Sequence, residues 1–225
     1  MKREALIFDV DGTLAETEEV HRAAFNAAFT DAGLAWRWDV PLYGALLKVT
    51  GGKERLRHYA ALQGEHPDDG LVQALHAAKN RHYGVMMREG GAHLRPGVAD
   101  LVATAKASGY RLAIATTTSR VNVEVLIDAT WGRPGRGLFA AIIAGEDVPR
   151  KKPAPDAYLQ ALAALHLPAS ACLAFEDSCN GLQAARAAGL ATIVTPGLYT
   201  AGEDFAGATA ILPDLSGFQL AAYGA

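Results

Sequence analysis

Short apolar runs recur along the chain at Ala5–Phe8, Arg111–Ala115, Ala140–Ala144, Cys172–Phe175 and Ala191–Val194. They read as strands buried on both faces, since none shows the apolar–polar alternation of a half-wet sheet. Helical patterns separate most of them. Val98, Leu101, Val102 and Ala105 follow an i, i+3, i+4, i+7 stripe, and Gly109 supplies a stop. Tyr158, Leu162 and Leu165 form a second stripe, and the alanine-rich stretch Leu182–Ala188 closes at Gly189. Alternating strands and helices predict an α/β fold with a Rossmann-like parallel sheet covered on both sides.

One segment breaks the alternation. From about Glu16 to His93 only helical patterns occur. "EEVHRAAFNAAFTDAG" opens acidic, as suits a helix N-terminus, and ends at Gly33. "GGKERLRHYAAL" is a helix entered through two glycines, and "PDDGLVQALHAAKNRHYGVMM" is a longer one. Roughly 75 to 80 residues suffice for a small helical domain. The expected organisation is a core of residues 1–15 and 94–225 with an inserted α-helical cap at residues 16–93.

Half of the 225 residues are hydrophobic, so a sizeable core is available. The net charge of −3, with no basic run, argues against nucleic acid or a membrane surface as partner. The start, "MKREALIFDV", has an apolar run cut short by Asp9, too brief for a signal peptide or a spanning helix. Cys172 and Cys179 are too few for a disulfide scaffold and lack zinc-ligand companions. These features predict a cytoplasmic protein, expected to be a monomer.

The first strand runs into "LIFDVDGTL" at residues 6–14. Two carboxylates so close repel each other, and the end of a buried strand disfavours both. Extended backbone puts Asp9 and Asp11 on one face, and Gly12 permits a sharp turn. Open α/β sheets bind ligands beyond the C-terminal ends of their strands, where this pair falls. A bare D-x-D-G equally suits an acidic turn. A calcium loop is excluded, because its twelfth position, counted from Asp9, is Val20 instead of a bidentate glutamate.

Later segments supply companions. "RLAIATTTS" ends a strand at Thr116, "RKKPAPDAY" carries Lys151 and Lys152, and "CLAFEDSCNG" runs a strand into Glu176 and Asp177. Taken singly, the threonines suit strand ends, the lysines suit solvent, and the acid pair suits a helix cap. Together they bring carboxylates, a hydroxyl and an ammonium to one sheet edge.

In this order D-x-D-G-T, a strand-terminal threonine, K-P-x-P-D and E-D resemble the four motifs of the haloacid dehalogenase-like phosphohydrolases, over essentially the whole chain. The resemblance implies Asp9 as the nucleophile that becomes an aspartyl phosphate and Asp11 as the acid/base. It implies a Mg²⁺ cofactor held by Asp9, the Asp11 backbone carbonyl and Asp177, with Glu176 direct or through water. Thr116 and Lys152 would hold the phosphoryl oxygens. Lys152 is preferred to Lys151 because it directly precedes Pro153.

Substrate choice falls to the cap. "TGGKER" at residues 50–55 joins glycines, Lys53 and Arg55 at a helix entrance, which favours an anion. His76 and Lys79 add donors from the next helix; the plain alternative is a solvated basic face. If the cap closes on the core, this cluster faces Asp9 and grips a second phosphate. "DVDGTLAETEE", "TGGKER", "ATTTS" and "KKPAPD" together resemble the CbbY-type subgroup, whose members dephosphorylate xylulose-1,5-bisphosphate. That resemblance implies a small phosphosugar partner contacted by Glu18, Gly51, Gly52, Lys53, Glu54, Arg55, His76 and Lys79. The stretch from Thr116 through Thr117, Thr118 and Ser119 to Asn122 joins them. A β-phosphoglucomutase-like mutase, a phosphoglycolate phosphatase and a non-catalytic metabolite-binding protein are the alternatives.

Overall fold

The structure, a computed structural model, describes residues 3–91, 93–132, 135 and 137–223. Among them six strands form one parallel sheet: β1 (Ala5–Phe8), β2 (Arg111–Ala115), β3 (Ala141–Ile143), β4 (Cys172–Glu176), β5 (Ala191–Val194) and β6 (Ala210–Ile211). Their spatial order is β3-β2-β1-β4-β5-β6. The chain thus winds outward from β1 to β2 and β3, then returns to lay β4 on the opposite side of β1. That reversal opens a crevice at the C-terminal ends of β1 and β4.

Two compact units divide the chain: Met1–Glu16 with His93–Ala225, and Thr17–Ala92. In the first, α5 (Val98–Ala107), α6 (Arg120–Trp131), α7 (Asp156–Leu165) and α8 (Cys179–Ala187) accompany the sheet. Ala5, Ile7, Ala113, Ala115, Cys172 and Ala174 pack with α7 and α8 residues into one buried cluster. Small side chains on that face let the helices approach closely. Leu6, Phe8, Leu112, Ile114, Leu173 and Phe175, the alternate positions, are buried too. The continuous apolar runs of the sequence follow from this double cover. Phe8 and Phe175 are register partners whose rings stack at 4.8 Å.

The second unit holds α1 (Glu18–Asp31), α2 (Val40–Leu46), α3 (Gly52–Leu62) and α4 (Asp69–Arg88), and no strand among the described residues. α1 lies along α4. At the centre Trp38 meets Phe25 at 4.6 Å, Phe29 at 4.9 Å, Tyr59 at 5.5 Å and Tyr43 at 5.9 Å between ring centroids. Asn26 fixes the backbone there: its Oδ1 accepts from Trp38 N at 2.7 Å and its Nδ2 donates to Trp38 O at 2.8 Å.

Three elements were not anticipated from the pattern. α2 contains Pro41 and Gly44, which read as breakers, but proline is tolerated in a first turn, and Asp39 caps Leu42 N at 2.9 Å. α6 is rich in β-branched residues, and β6 is only two residues long. No helix among the described residues is long and apolar enough to cross a membrane.

Candidate active site

β1 stops at Phe8, so strand alternation does not align Asp9 with Asp11, contrary to the expectation from extended backbone. A tight turn joins them instead, and the Asp11 charge acts on Asp9. Asp9 N donates one further rung to Phe175 O at 3.0 Å, after which Val10 O accepts from Leu14 N at 2.9 Å and Gly12 N donates to Ala15 O at 2.8 Å. Gly12 has φ +80°, and a Cβ there would lie 2.3 Å from Asp177 Oδ2. Only glycine fits both the left-handed backbone and the adjoining carboxylate. The Arg95 guanidinium is buried against this turn. It donates to Gly12 O, to Thr195 O at 2.6 Å and to Pro196 O at 2.9 Å, tying the turn to the loop after β5.

Lys152 precedes α7 and is the hub of the site. Its Nζ donates to Asp9 Oδ1 and to Glu176 Oε1, each at 2.6 Å. Glu176 ends β4 and is wholly buried. Its Oε1 also accepts from Tyr158 Oη at 2.5 Å, and its Oε2 accepts from Asp177 N at 3.2 Å. Gly181 leaves room for it, since a Cβ there would lie 1.9 Å from Glu176 Oε2. Asp177 Oδ2 in turn accepts from Thr200 Oγ1 at 3.2 Å.

The electrostatics follow from burial. Desolvation pushes the Asp9 carboxyl up to about 8. Lys152 opposes that shift, and the nearby Glu176 and Asp11 charges add to it. Burial alone would lower the Lys152 ammonium, but Asp9 and Glu176 overcome it and hold the group above its ordinary value. Burial, followed by the Glu176 charge, keeps the Tyr158 phenol well above its usual range and therefore neutral.

Carboxylate oxygens of Asp9, Glu176 and Asp177 lie within 4.8 Å of one another, all buried. Ionising all three would set three negative charges against one ammonium, an excess that a cation offsets, and an all-oxygen donor set suits a hard divalent one. The residues therefore fit Mg²⁺.

Thr116 follows β2; its N donates to Ile143 O at 2.9 Å and its Oγ1 accepts from Thr118 N at 3.2 Å. Thr117, Thr118 and Ser119 are half-buried, and buried Asn122 lies on the first turn of α6, its Nδ2 3.5 Å from Thr118 Oγ1. Tyr158, Thr200 and Arg95 were missed by sequence reasoning. Tyr158 passed as one member of an apolar stripe, and nothing local distinguishes the other two.

The helical unit carries its own cluster. Gly51 (φ +99°) caps α3 and Gly52 begins it; a Cβ on Gly52 would lie 2.8 Å from the His76 ring. Lys79 is buried, its Nζ 5.2 Å from the Phe25 ring centroid and 5.3 Å from that of Tyr83. Lys53 and Glu54 are exposed. Arg55 is not part of a solvated basic face: it is buried, donating from Nε to Leu46 O at 3.2 Å and from Nη1 to Tyr43 Oη at 3.1 Å. Tyr43 Oη donates to Glu18 Oε2 at 2.7 Å, so Glu18, Tyr43 and Arg55 form one chain.

A Rossmann-like sheet whose central strands end in buried carboxylates, two of them paired to one buried lysine, is the framework of an α/β phosphohydrolase. The chain belongs to the haloacid dehalogenase-like hydrolases, whose family model matches residues 4–189. It is a phosphoric monoester hydrolase. It is 55% identical to Protein CbbY of Rhodobacter capsulatus over 96% of this chain and 95% of that one. The crystal structure of CbbY from Rhodobacter sphaeroides in complex with phosphate superimposes with a TM-score of 0.92 at 50% identity, covering 96% of both chains. A mutant of that protein, solved in complex with xylulose-(1,5)bisphosphate, matches equally well. The β-phosphoglucomutase of Clostridium difficile, at 18% identity and a TM-score of 0.82 over 98% of this chain and 95% of that one, shares the fold.

Proposed function

We propose that this chain is a Mg²⁺-dependent sugar phosphatase that removes one phosphate from xylulose-1,5-bisphosphate through an aspartyl phosphate on Asp9. The chemistry rests on one observation above the rest: Asp9 is paired at 2.6 Å to the buried Lys152 within the Glu176–Asp177 acid cluster. The choice of sugar draws support from the 50% identity, over 96% of the chain, to a CbbY solved with that bisphosphate.

In this reading an Asp9 carboxylate oxygen attacks phosphorus, and the P–O bond to the sugar breaks. Asp11 gives its proton to the departing sugar oxygen, then takes one from the water that hydrolyses the acyl phosphate. Lys152 and Thr116 hold the phosphoryl oxygens and offset the charge that develops on them. Asp9, Asp177 and the Asp11 carbonyl would hold Mg²⁺, which supplies charge neutralisation to carboxylates and phosphoryl group alike. Both Glu176 oxygens already accept from Lys152, Tyr158 and Asp177 N, so Glu176 fits contact through water better than direct ligation. Residues 16–93 act as the specificity cap. The α3 entrance with His76, Lys79 and the Arg55 chain takes the phosphate that is not transferred, and the Thr116–Asn122 stretch adds further contacts.

The test is a phosphate-release assay with Mg²⁺ over xylulose-1,5-bisphosphate, β-glucose 1-phosphate and 2-phosphoglycolate, with product isomers monitored. The bisphosphate is expected to turn over with the highest kcat/KM, and Asp9→Asn to lower kcat by about 10³-fold or more. Substantial turnover by Asp9→Asn would overturn the nucleophile. Conversion of β-glucose 1-phosphate to its 6-phosphate points to a mutase instead, and a preference for 2-phosphoglycolate to a phosphoglycolate phosphatase.

A further inference from the structure

We propose that Tyr158 is a positioning residue for phosphoryl transfer. Its hydroxyl, donating to Glu176 Oε1 at 2.5 Å, fixes the carboxylate that holds Lys152 against Asp9, while its ring braces the Lys152 ammonium. The inference rests on the reading above that Asp9 reacts and Lys152 serves it.

Lysine is a flexible four-carbon stem with a point charge, and Lys152 is carried by the loop ahead of α7. Its Nζ position is therefore set by its partners. One partner, Asp9, changes charge during the reaction, because its carboxylate becomes an acyl phosphate. The other, Glu176, is the invariant anchor, and its own orientation must be held. Asp177 N holds Oε2 at 3.2 Å, and the missing Cβ of Gly181 lets α8 close on that side. On Oε1 the neutral donor is Tyr158. The same side chain reaches Lys152 directly, with Nζ 4.9 Å from the ring centroid. One residue of α7 therefore constrains both members of the Lys152–Glu176 pair.

Packing does not account for the hydroxyl. Tyr158 is fully buried in the apolar cluster of Ala5, Ile7, Ala113, Ala115 and Ala174, where phenylalanine would fill the same volume. A buried phenol needs an acceptor, and here the acceptor is a site carboxylate. Without that donor Glu176 Oε1 retains, among the described residues, the Lys152 bond alone, and the pair is free to shift together away from Asp9. A misplacement of this kind acts on the rate of transfer more than on binding.

The experiment measures kcat, KM and thermal unfolding for wild type, Tyr158→Phe, Glu176→Gln and the double variant. The substrate is p-nitrophenyl phosphate with saturating Mg²⁺. Tyr158→Phe is expected to lower kcat about 10-fold or more, with KM changed less than about twofold and the melting temperature within a few degrees of wild type. In the Glu176→Gln background the same substitution should have almost no further effect, because the group it acts through is already altered. An unchanged kcat in Tyr158→Phe overturns the proposal. So does an equal loss in both backgrounds, which would assign the residue to packing alone. The aryl phosphate makes this outcome independent of the sugar: failure of the bisphosphate preference overturns the substrate reading and leaves the Tyr158–Glu176 coupling to be read on its own.

Discussion

Asp9 stands where a lone carboxylate is least stable, at the end of a central strand with Glu176 and Asp11 close by. Burial and those charges raise its carboxyl to about 8 against the pull of Lys152. The sign of the resulting pH dependence follows. The unfolded carboxyl ionises near 3.8 while the folded one keeps its proton up to about 8, so the folded state binds more protons across that window. Stability contributed by Asp9 therefore falls as pH rises through it. In EDTA, the melting temperature of wild type relative to Asp9→Asn should drop between pH 5 and pH 8, as differential scanning calorimetry can measure. A difference that stays flat over this range contradicts the assignment. Mg²⁺ should remove the slope, because a cation on the carboxylate favours its ionised form.

Among the elements, α3 shows how one helix start serves two ends. Gly51 and Gly52 open its N-terminus, while Arg55, one turn on, faces inward and bonds the carbonyl of Leu46 at the end of α2. A cation at a helix C-terminus is favourable there, so Arg55 has a structural duty beside the proposed anion contact. Arg55→Lys separates them by keeping the charge and losing the fork of donors. The expected result is a KM for xylulose-1,5-bisphosphate raised about 10-fold, with p-nitrophenyl phosphate unaffected. Equal losses on both substrates would confine Arg55 to holding α2 and α3 together. Elements with a clean apolar run or stripe were legible: β1, β2 and β5 begin and end where the pattern puts them. α2 was hidden because Pro41 and Gly44 look like breakers until the Asp39 cap is seen. The strand-face argument for Asp9 and Asp11 reached past the strand: β1 ends at Phe8, and Val10 O already accepts turn hydrogen bonds from Thr13, Leu14 and Ala15 N.

At the scale of the whole chain, a site with three buried carboxylates and one lysine is incompletely neutralised, and a cation that binds only the folded state must stabilise it. With Mg²⁺ at 100 times its dissociation constant the gain is about 2.7 kcal/mol. For a chain of this size that corresponds to a melting temperature higher by about 5 to 10 °C. Thermal scans with Mg²⁺ and with EDTA test this, and coincident curves would remove the metal from the site.

The motifs themselves were determined by sequence alone. An apolar strand followed directly by a carboxylate or hydroxyl is a local pattern, and the strand–helix alternation places such ends on one edge of a parallel sheet. Which group holds which was decided only by the tertiary structure. Lys152 bonds Asp9 across 143 positions and Glu176 across 24. Tyr158, Thr200 and Arg95 enter the site from an apolar stripe and two loops with no motif of their own. Buried polar groups take whatever donors the packed chain brings within reach, and that reach depends on how β4 returns beside β1, which no stretch of sequence contains.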